Sequence, residues 1–217
     1  MHFPMKITVA PSILAGDLAR LETSIYRVIN SGARWLHIDI MDGHFVPNLS
    51  FGAPMVRALS AYKEHLFFDV HLMLEYPENF IASFAQCGAD LISIHVESQG
   101  PTEKTLRQIK KMGKQTGIAI NPETAVEKIF PYIDDVDLVL IMGVRPGFSG
   151  QKFLENSLEK IEIIRKRYTS VRIEIDGGID ETHARRCIQK GADVIVTGAS
   201  FFAAKDPQAL IRQIEHE

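Results

Sequence analysis

The stretch Pro77-Glu-Asn-Phe-Ile-Ala-Ser-Phe-Ala-Gln-Cys-Gly-Ala-Asp-Leu-Ile-Ser-Ile-His95 decides the fold class. Pro77 stands where a helix can begin, because the first turn has no use for the N–H that proline lacks. The pattern over 77–86 is helical, Gly88 then supplies the left-handed residue that ends a helix, and 91–95 is an aliphatic run of strand length. The junction recurs: Gly32-Ala33-Arg34 and Gly191-Ala192-Asp193 also close a helical pattern and open a strand-like run. They lie 56 residues before Gly88 and 103 after it, which is two and four units of about 27 residues.

Working outward, strands are predicted at 7–10, 35–40, 66–70, 91–95, 118–120, 138–142, 171–175 and 194–196. They alternate with helices predicted at 18–30, 54–61, 77–86, 103–112, 124–132, 157–168, 181–190 and 207–215. Asp180 is the expected N-cap of the seventh helix. Eight evenly spaced units predict an α/β chain folded as a single-domain (β/α)8 TIM barrel over residues 1–217. An open doubly wound sheet is the lesser reading, since no G-x-G-x-x-G follows the first strand.

The 24 Lys+Arg against 27 Asp+Glu leave a formal charge of −3, and 46% of the residues are hydrophobic. Such a chain is globular rather than disordered, collagenous or coiled-coil. Without a basic block it offers no nucleic-acid surface, and no apolar run approaches the roughly 18 residues of a membrane-crossing helix. Cys87 and Cys187 lack C-x-x-C spacing and read as small helix-borne hydrophobes of a reducing compartment. Pro11 falls early in what would be the apolar part of a secretory leader, so a cytoplasmic location is expected. Phosphorylated metabolites remain as partners, because backbone amides bind an anion without basic side chains.

In such a barrel the chemistry lies at the C-terminal ends of the strands. Alternation puts His37, Asp39 and Met41 on one face of the second strand, with Ile38 and Ile40 toward the helices. Asp69, His71 and Met73 share a face of the third strand, and Asp176 ends the seventh. Two imidazoles and two carboxylates from three strands form an N/O donor set for one divalent metal: zinc, iron, manganese or cobalt. Periodicity leaves open whether Asp69 or His71 is the ligand. The loop Gly143-Val-Arg-Pro-Gly147-Phe-Ser-Gly150-Gln151, with Gly177-Gly178 and Gly198-Ala199-Ser200 after the next two strands, offers backbone amides to a phosphate. Asp39 and Asp176 stand three strands apart on the ring, so a ligand between them meets a carboxylate on each face. That suits epimerisation through an enediolate.

At these residues, Ala10-Pro-Ser-Ile-Leu14, Leu36-His-Ile-Asp-Ile-Met-Asp-Gly43 with Phe45-Val-Pro-Asn48, Asp69-Val-His-Leu-Met73, Arg145-Pro-Gly-Phe148 and Ile175-Asp-Gly-Gly178 closely resemble ribulose-phosphate 3-epimerases, in the same order. The resemblance runs from the first strand to the eighth. It implies a barrel that interconverts D-ribulose 5-phosphate and D-xylulose 5-phosphate in the pentose phosphate pathway, as a homo-oligomer. It implies His37, Asp39, His71 and Asp176 as metal ligands, with Asp39 accepting and Asp176 donating the proton in one direction and exchanging roles in the other. By the same resemblance Ser12 and His71 contact the sugar, and Met41, Met73 and Met142 line the enediolate pocket. The phosphate rests on Gly147, Phe148, Ser149, Gly150, Gly177, Gly178, Gly198 and Ala199.

Two positions of that cradle depart from the family pattern. Ser149 stands where Gly-Phe-Gly-Gly-Gln is common, and Ala199 stands where Gly-Ser is common. Gly143 replaces a residue that is usually Ser or Thr. A six-carbon ketose phosphate such as D-allulose 6-phosphate is the alternative substrate. No lysine is poised on a strand for an aldolase Schiff base, and a barrel kept only for binding is expected to have lost an aspartate or a ligand. His95 and Glu97, at the end of the fourth strand, are candidates to support the metal site from behind or to form a structural pair. Asp134, Asp135 and Asp137 have the spacing of a solvated turn, and the loop over 43–51 is expected to close over substrate.

Overall fold

The computed structural model describes residues 6–148 and 150–216. Its parallel strands are β1 (Thr8–Pro11), β2 (Trp35–Met41), β3 (Phe67–Met73), β4 (Leu91–His95), β5 (Gln115–Ile120), β6 (Leu138–Met142), β7 (Arg172–Asp176) and β8 (Val194–Thr197). From β2 to β8 each strand pairs with its neighbour in sequence, and β8 pairs with β1. The remaining seam, β1 to β2, is a single bridge between Ser12 and His37, so the (β/α)8 ring draws shut at the C-terminal ends of its strands.

Around the ring run α1 (Leu21–Asn30), α2 (Ala53–Leu59), α3 (Ile81–Gln86), α4 (Thr102–Lys111), α5 (Asn156–Arg167), α6 (Glu181–Lys190), α7 (Ala199–Ala203) and α8 (Pro207–Glu215). Asp180 caps α6 as expected, its carboxylate accepting the His183 N–H. The helix expected over 124–132 is instead a 3₁₀ helix at Val126–Asp135. Pro131 inside it has no N–H for an α-helical bond, and its ring would crowd the preceding turn. The helices expected over 18–30 and 77–86 begin as 3₁₀ turns, at Leu18–Arg20 and Pro77–Asn79. Cys87 lies one residue beyond α3 rather than within it; both cysteines are buried and free. The short α7 is too brief to carry an apolar period, and sequence reading missed it.

The strands separate two sets of side chains. Ile38, Ile40, Val70, Leu72, Ile92, Ile94, Ile173 and Ile175 face outward into the layer beneath the helices, and each such buried side chain contributes roughly 1.5–3 kcal/mol relative to exposure. Ala10, Leu91, Ala119, Leu138, Leu140, Val194 and Val196 face inward and form an apolar cluster inside the ring.

The repeated junction has a second function that its glycine does not reveal. Gly88 and Gly191 take φ of +107° and +111°, and the aspartate two residues later ties adjacent strands together. Asp90 accepts the Phe68 N–H at 2.6 Å, Asp193 accepts the Ile173 N–H at 2.8 Å, and Asp137 accepts the Thr116 N–H at 2.8 Å. Asp137 therefore anchors the start of β5 in addition to lying in an exposed turn. Asp90 and Asp193 also pair with Lys63 and Arg165.

Candidate active site

Parallel register places His37 beside Asp69 and Asp39 beside His71 on β2 and β3. Because the side-chain period is two, all four point into the barrel. His37 Nε2 lies 3.2 Å and His71 Nδ1 3.1 Å from the same oxygen, Asp39 Oδ1. Asp176, at the end of β7, brings Oδ2 to 3.8 Å from His37 Nε2 and 4.0 Å from His71 Nδ1. One donor atom from each of His37, Asp39, His71 and Asp176 falls within 4.8 Å of the others. Asp69 stands on the far side of His37, its Oδ2 2.6 Å from Nδ1.

This donor set fits a divalent cation. With Asp69 taking the Nδ1 proton in a hydrogen bond, His37 presents its Nε2 lone pair to the cluster, and the carboxylate behind the ring makes that nitrogen a better ligand. Burial pulls the His37 pKa down, but the charges of Asp69 and Asp39 outweigh it and the net direction is strongly upward. A proton on Nε2 and a cation therefore compete for one lone pair.

The two aspartates are driven apart. Burial raises Asp39, yet the His37 and His71 imidazoles prevail and hold its carboxyl below the usual range. Burial likewise raises Asp176, and there the nearby Asp39 charge adds to it, pushing the group up to about 7. Their surroundings thus push the two groups in opposite directions, Asp39 toward the carboxylate and Asp176 toward the carboxylic acid, the separation that paired acid–base chemistry uses.

Above them opens a cavity of about 240 Å³. Asp39 and Asp176 meet it at the floor, Met41, Met73 and Met142 supply apolar wall, and Ser12 stands beside Asp39. Gly147, Phe148 and Gly150 line it from the loop after β6, Gly177 and Gly178 from the loop after β7, and Gly198 and Ala199 from the start of α7. Ser149 lies outside the described residues. His37 and His71 are wholly buried and are not among the lining residues.

Three groups near the site went unnoticed in the sequence. Glu174, one alternation before Asp176, is fully buried inside the barrel with Oε1 3.5 Å from His37 Nδ1, and burial followed by the Asp69 charge raises its pKa well above the usual range. Its inward face was readable from period two. Asp42 accepts the N–H groups of His44 and Phe45, each at 2.8 Å, and of Glu75 at 2.7 Å. It thereby pins the 43–51 loop to the loop after β3, and Asn48 Nδ2 donates to the Gly147 carbonyl at 2.7 Å. Lys160 reaches in from α5 behind β5 and has no sequence signature.

Residues 8–202 match the profile of the ribulose-phosphate 3 epimerase family. The chain belongs to that family. Relatives named ribulose-phosphate 3-epimerase include those of Candida glabrata, Bacillus subtilis and Chlamydia muridarum, at 40%, 41% and 43% identity. Those alignments cover 98%, 96% and 92% of this chain and 93%, 98% and 90% of the relatives. Among solved structures, 3-hexulose-6-phosphate synthase from Salmonella typhimurium superposes with a TM-score of 0.73 at 15% identity, covering 97% of each chain. KGPDC from Streptococcus mutans gives 0.71 at 13%, covering 97% of this chain and 96% of its own. At such identities the likeness concerns the barrel alone.

For a ribulose-phosphate 3-epimerase family member, Gly143 is the departure that packing explains. A Cβ there would lie 2.5 Å from the Gly177 carbonyl oxygen and 2.9 Å from the Phe153 ring. In this chain the Phe153 ring and the β7 loop occupy the space that a hydroxymethyl group would need.

Proposed function

We propose that the protein interconverts D-ribulose 5-phosphate and D-xylulose 5-phosphate, with Asp39 and Asp176 as the acid–base pair. The observation that carries this reading is that the two carboxyl groups meet one cavity with opposite protonation preferences. In one direction ionised Asp39 removes the C3 proton and protonated Asp176 returns one to the opposite face of C3. That leaves Asp39 protonated and Asp176 ionised, the starting state for the reverse reaction.

Ser12 Oγ donates to Asp39 Oδ2 at 2.7 Å and so aims the base, leaving its other oxygen to the imidazoles. Met41, Met73 and Met142 keep water from the carbanionic carbon, so a proton removed from C3 is not lost to solvent. The phosphate is read as resting on the lining residues of the loops after β6, β7 and β8. His37, Asp39, His71 and Asp176 would hold one divalent ion, zinc, iron, manganese or cobalt. When bound, it supplies the Lewis acidity that stabilises enediolate oxygens. This reading also places the enzyme in the cytoplasm as a homo-oligomer; a rice relative is named as the cytoplasmic isoform. Among the described residues no helix is long and apolar enough to cross a membrane.

The deciding experiment follows conversion of D-ribulose 5-phosphate on metal-analysed protein, before and after chelation and with single metals restored. Activity that tracks metal content is expected. Faster turnover of D-allulose 6-phosphate would reassign the substrate, and conversion indifferent to chelation would remove the metal from the reaction.

A further inference from the structure

We propose that His95 and Glu97 form a relay that fixes the tautomer of His71, holding its Nδ1 lone pair toward the cation site. The inference rests on the reading of His71 as a metal ligand. Both relay members are positioning residues, since His71 stands between them and the chemistry.

The argument begins at the outer end of the relay. Glu97 Oε1 accepts the Asn121 N–H at 2.8 Å, and Glu97 Oε2 lies 3.1 Å from His95 Nδ1. Behind it, the Lys160 ammonium donates to the carbonyls of Asn121, Pro122 and Thr124 at 2.7, 2.8 and 2.6 Å, which keeps a positive charge near the carboxylate. A carboxylate only accepts, so the His95 proton belongs on Nδ1. His95 Nε2 is then an acceptor, and it lies 2.8 Å from His71 Nε2. His71 must donate from Nε2, which leaves its Nδ1 unprotonated.

That outcome is opposed locally. His71 Nδ1 lies 3.1 Å from Asp39 Oδ1, and an isolated pair of this kind would place the proton on Nδ1 and close the coordinating position. Two carboxylates thus compete for the tautomer, Asp39 directly and Glu97 through His95. With Glu97 prevailing, two acceptors face each other across 3.1 Å, a contact that a cation resolves. His37 needs no such relay, because Asp69 bonds its Nδ1 directly and leaves Nε2 to face the cluster. The two imidazoles therefore present different nitrogens, and the longer chain serves the ring whose Nε2 points away from the site. The Phe45 ring, 4.7 Å from that of His95, covers the relay, and His95 is fully buried.

The test uses the full chain labelled with ¹⁵N-histidine and freed of metal, with two-bond ¹⁵N–¹H correlations reporting which nitrogen of each ring is protonated. Wild type is expected to show His71 protonated on Nε2 and His95 on Nδ1. Glu97→Gln, whose amide can donate to His95, is expected to move the His71 proton toward Nδ1. It should also weaken Co²⁺ binding, followed by the visible spectrum of the ion, by about 10–100-fold. His95→Gln keeps an acceptor for His71 and should bind Co²⁺ more tightly than His95→Leu; should the leucine variant not fold, Glu97→Gln carries the comparison. A wild-type His71 protonated on Nδ1, or a Glu97→Gln protein with wild-type tautomers and Co²⁺ affinity, overturns the relay. Assigned tautomers in a wild type with no affinity for Co²⁺ would instead overturn His71 as a ligand, and with it the relay's purpose.

Discussion

Ser12 and Asp39 join the first and second strands at the one seam that lacks a ladder: Ser12 Oγ donates to Asp39 Oδ2 at 2.7 Å, beside the bridge from Ser12 to His37. Hydrogen bonds to charged groups contribute about 1.5–3 kcal/mol. Ser12→Ala is accordingly expected to lower kcat by about 10–100-fold with metal content unchanged. Steady-state kinetics on metal-analysed protein checks this, and an unaltered kcat would show that the base is aimed without Ser12.

Asp176→Asn removes a ligand and a proton carrier together. Turnover should fall by at least the roughly 10²–10⁴ typical of general acid–base groups, while circular dichroism and the unfolding midpoint of the metal-free protein stay close to wild type. Near-wild-type conversion in this variant is incompatible with the assigned acid–base pair.

Metal removal should be visible in stability as well as in activity. A ligand that binds only the folded state stabilises it by about 2.7 kcal/mol at a hundred times its dissociation constant. Restoring Co²⁺ to chelated protein should raise Tm, and His37→Asn should abolish most of that rise. Calorimetry of the two proteins decides it; an equal rise in both would place the ion elsewhere.

Asp42 links stability to acidity. Burial raises its carboxyl, but the N–H groups of Glu75, His44 and Phe45 prevail and lower it below the usual carboxylate range. A group depressed in the folded state contributes stability above its unfolded pKa and loses it as pH falls through the folded value. Asp42→Ala should therefore cost about 1 kcal/mol near neutrality, with the difference from wild type shrinking below about pH 4. Urea unfolding across the acid range up to neutrality measures the trend, and faster amide exchange over 43–51 should accompany it.

Lys160 satisfies three carbonyls from a buried side chain. Lys160→Met keeps the aliphatic stem and leaves those oxygens without their donor, at a cost on the order of 2–4 kcal/mol. Equilibrium unfolding tests this directly, and a loss under about 0.5 kcal/mol would mean that water replaces the ammonium.

The order of eight strands, the inward face of His37, Asp39, Asp69, His71 and Asp176, and the glycine loops were all legible along the chain. Each depends on a local property: a period of two, a period near 3.6, or a glycine that takes positive φ. Even the repeat spacing announced a closed ring. The same local signals misread 124–132, where the apolar pattern is compatible with a helix and Pro131 makes it a 3₁₀ helix.

What period two cannot express is how far along the barrel axis a side chain lies, or which residue of another strand it meets. Asp69 and His71 share one face of β3, and only the register with β2 puts Asp69 behind His37 and His71 beside Asp39. The relay from Glu97 through His95 to His71 crosses from β4 to β3, and Lys160 approaches its outer end from α5, far along the chain. Such contacts arise from strand stagger and helix packing, which are collective properties of the closed barrel, so no single segment carries them.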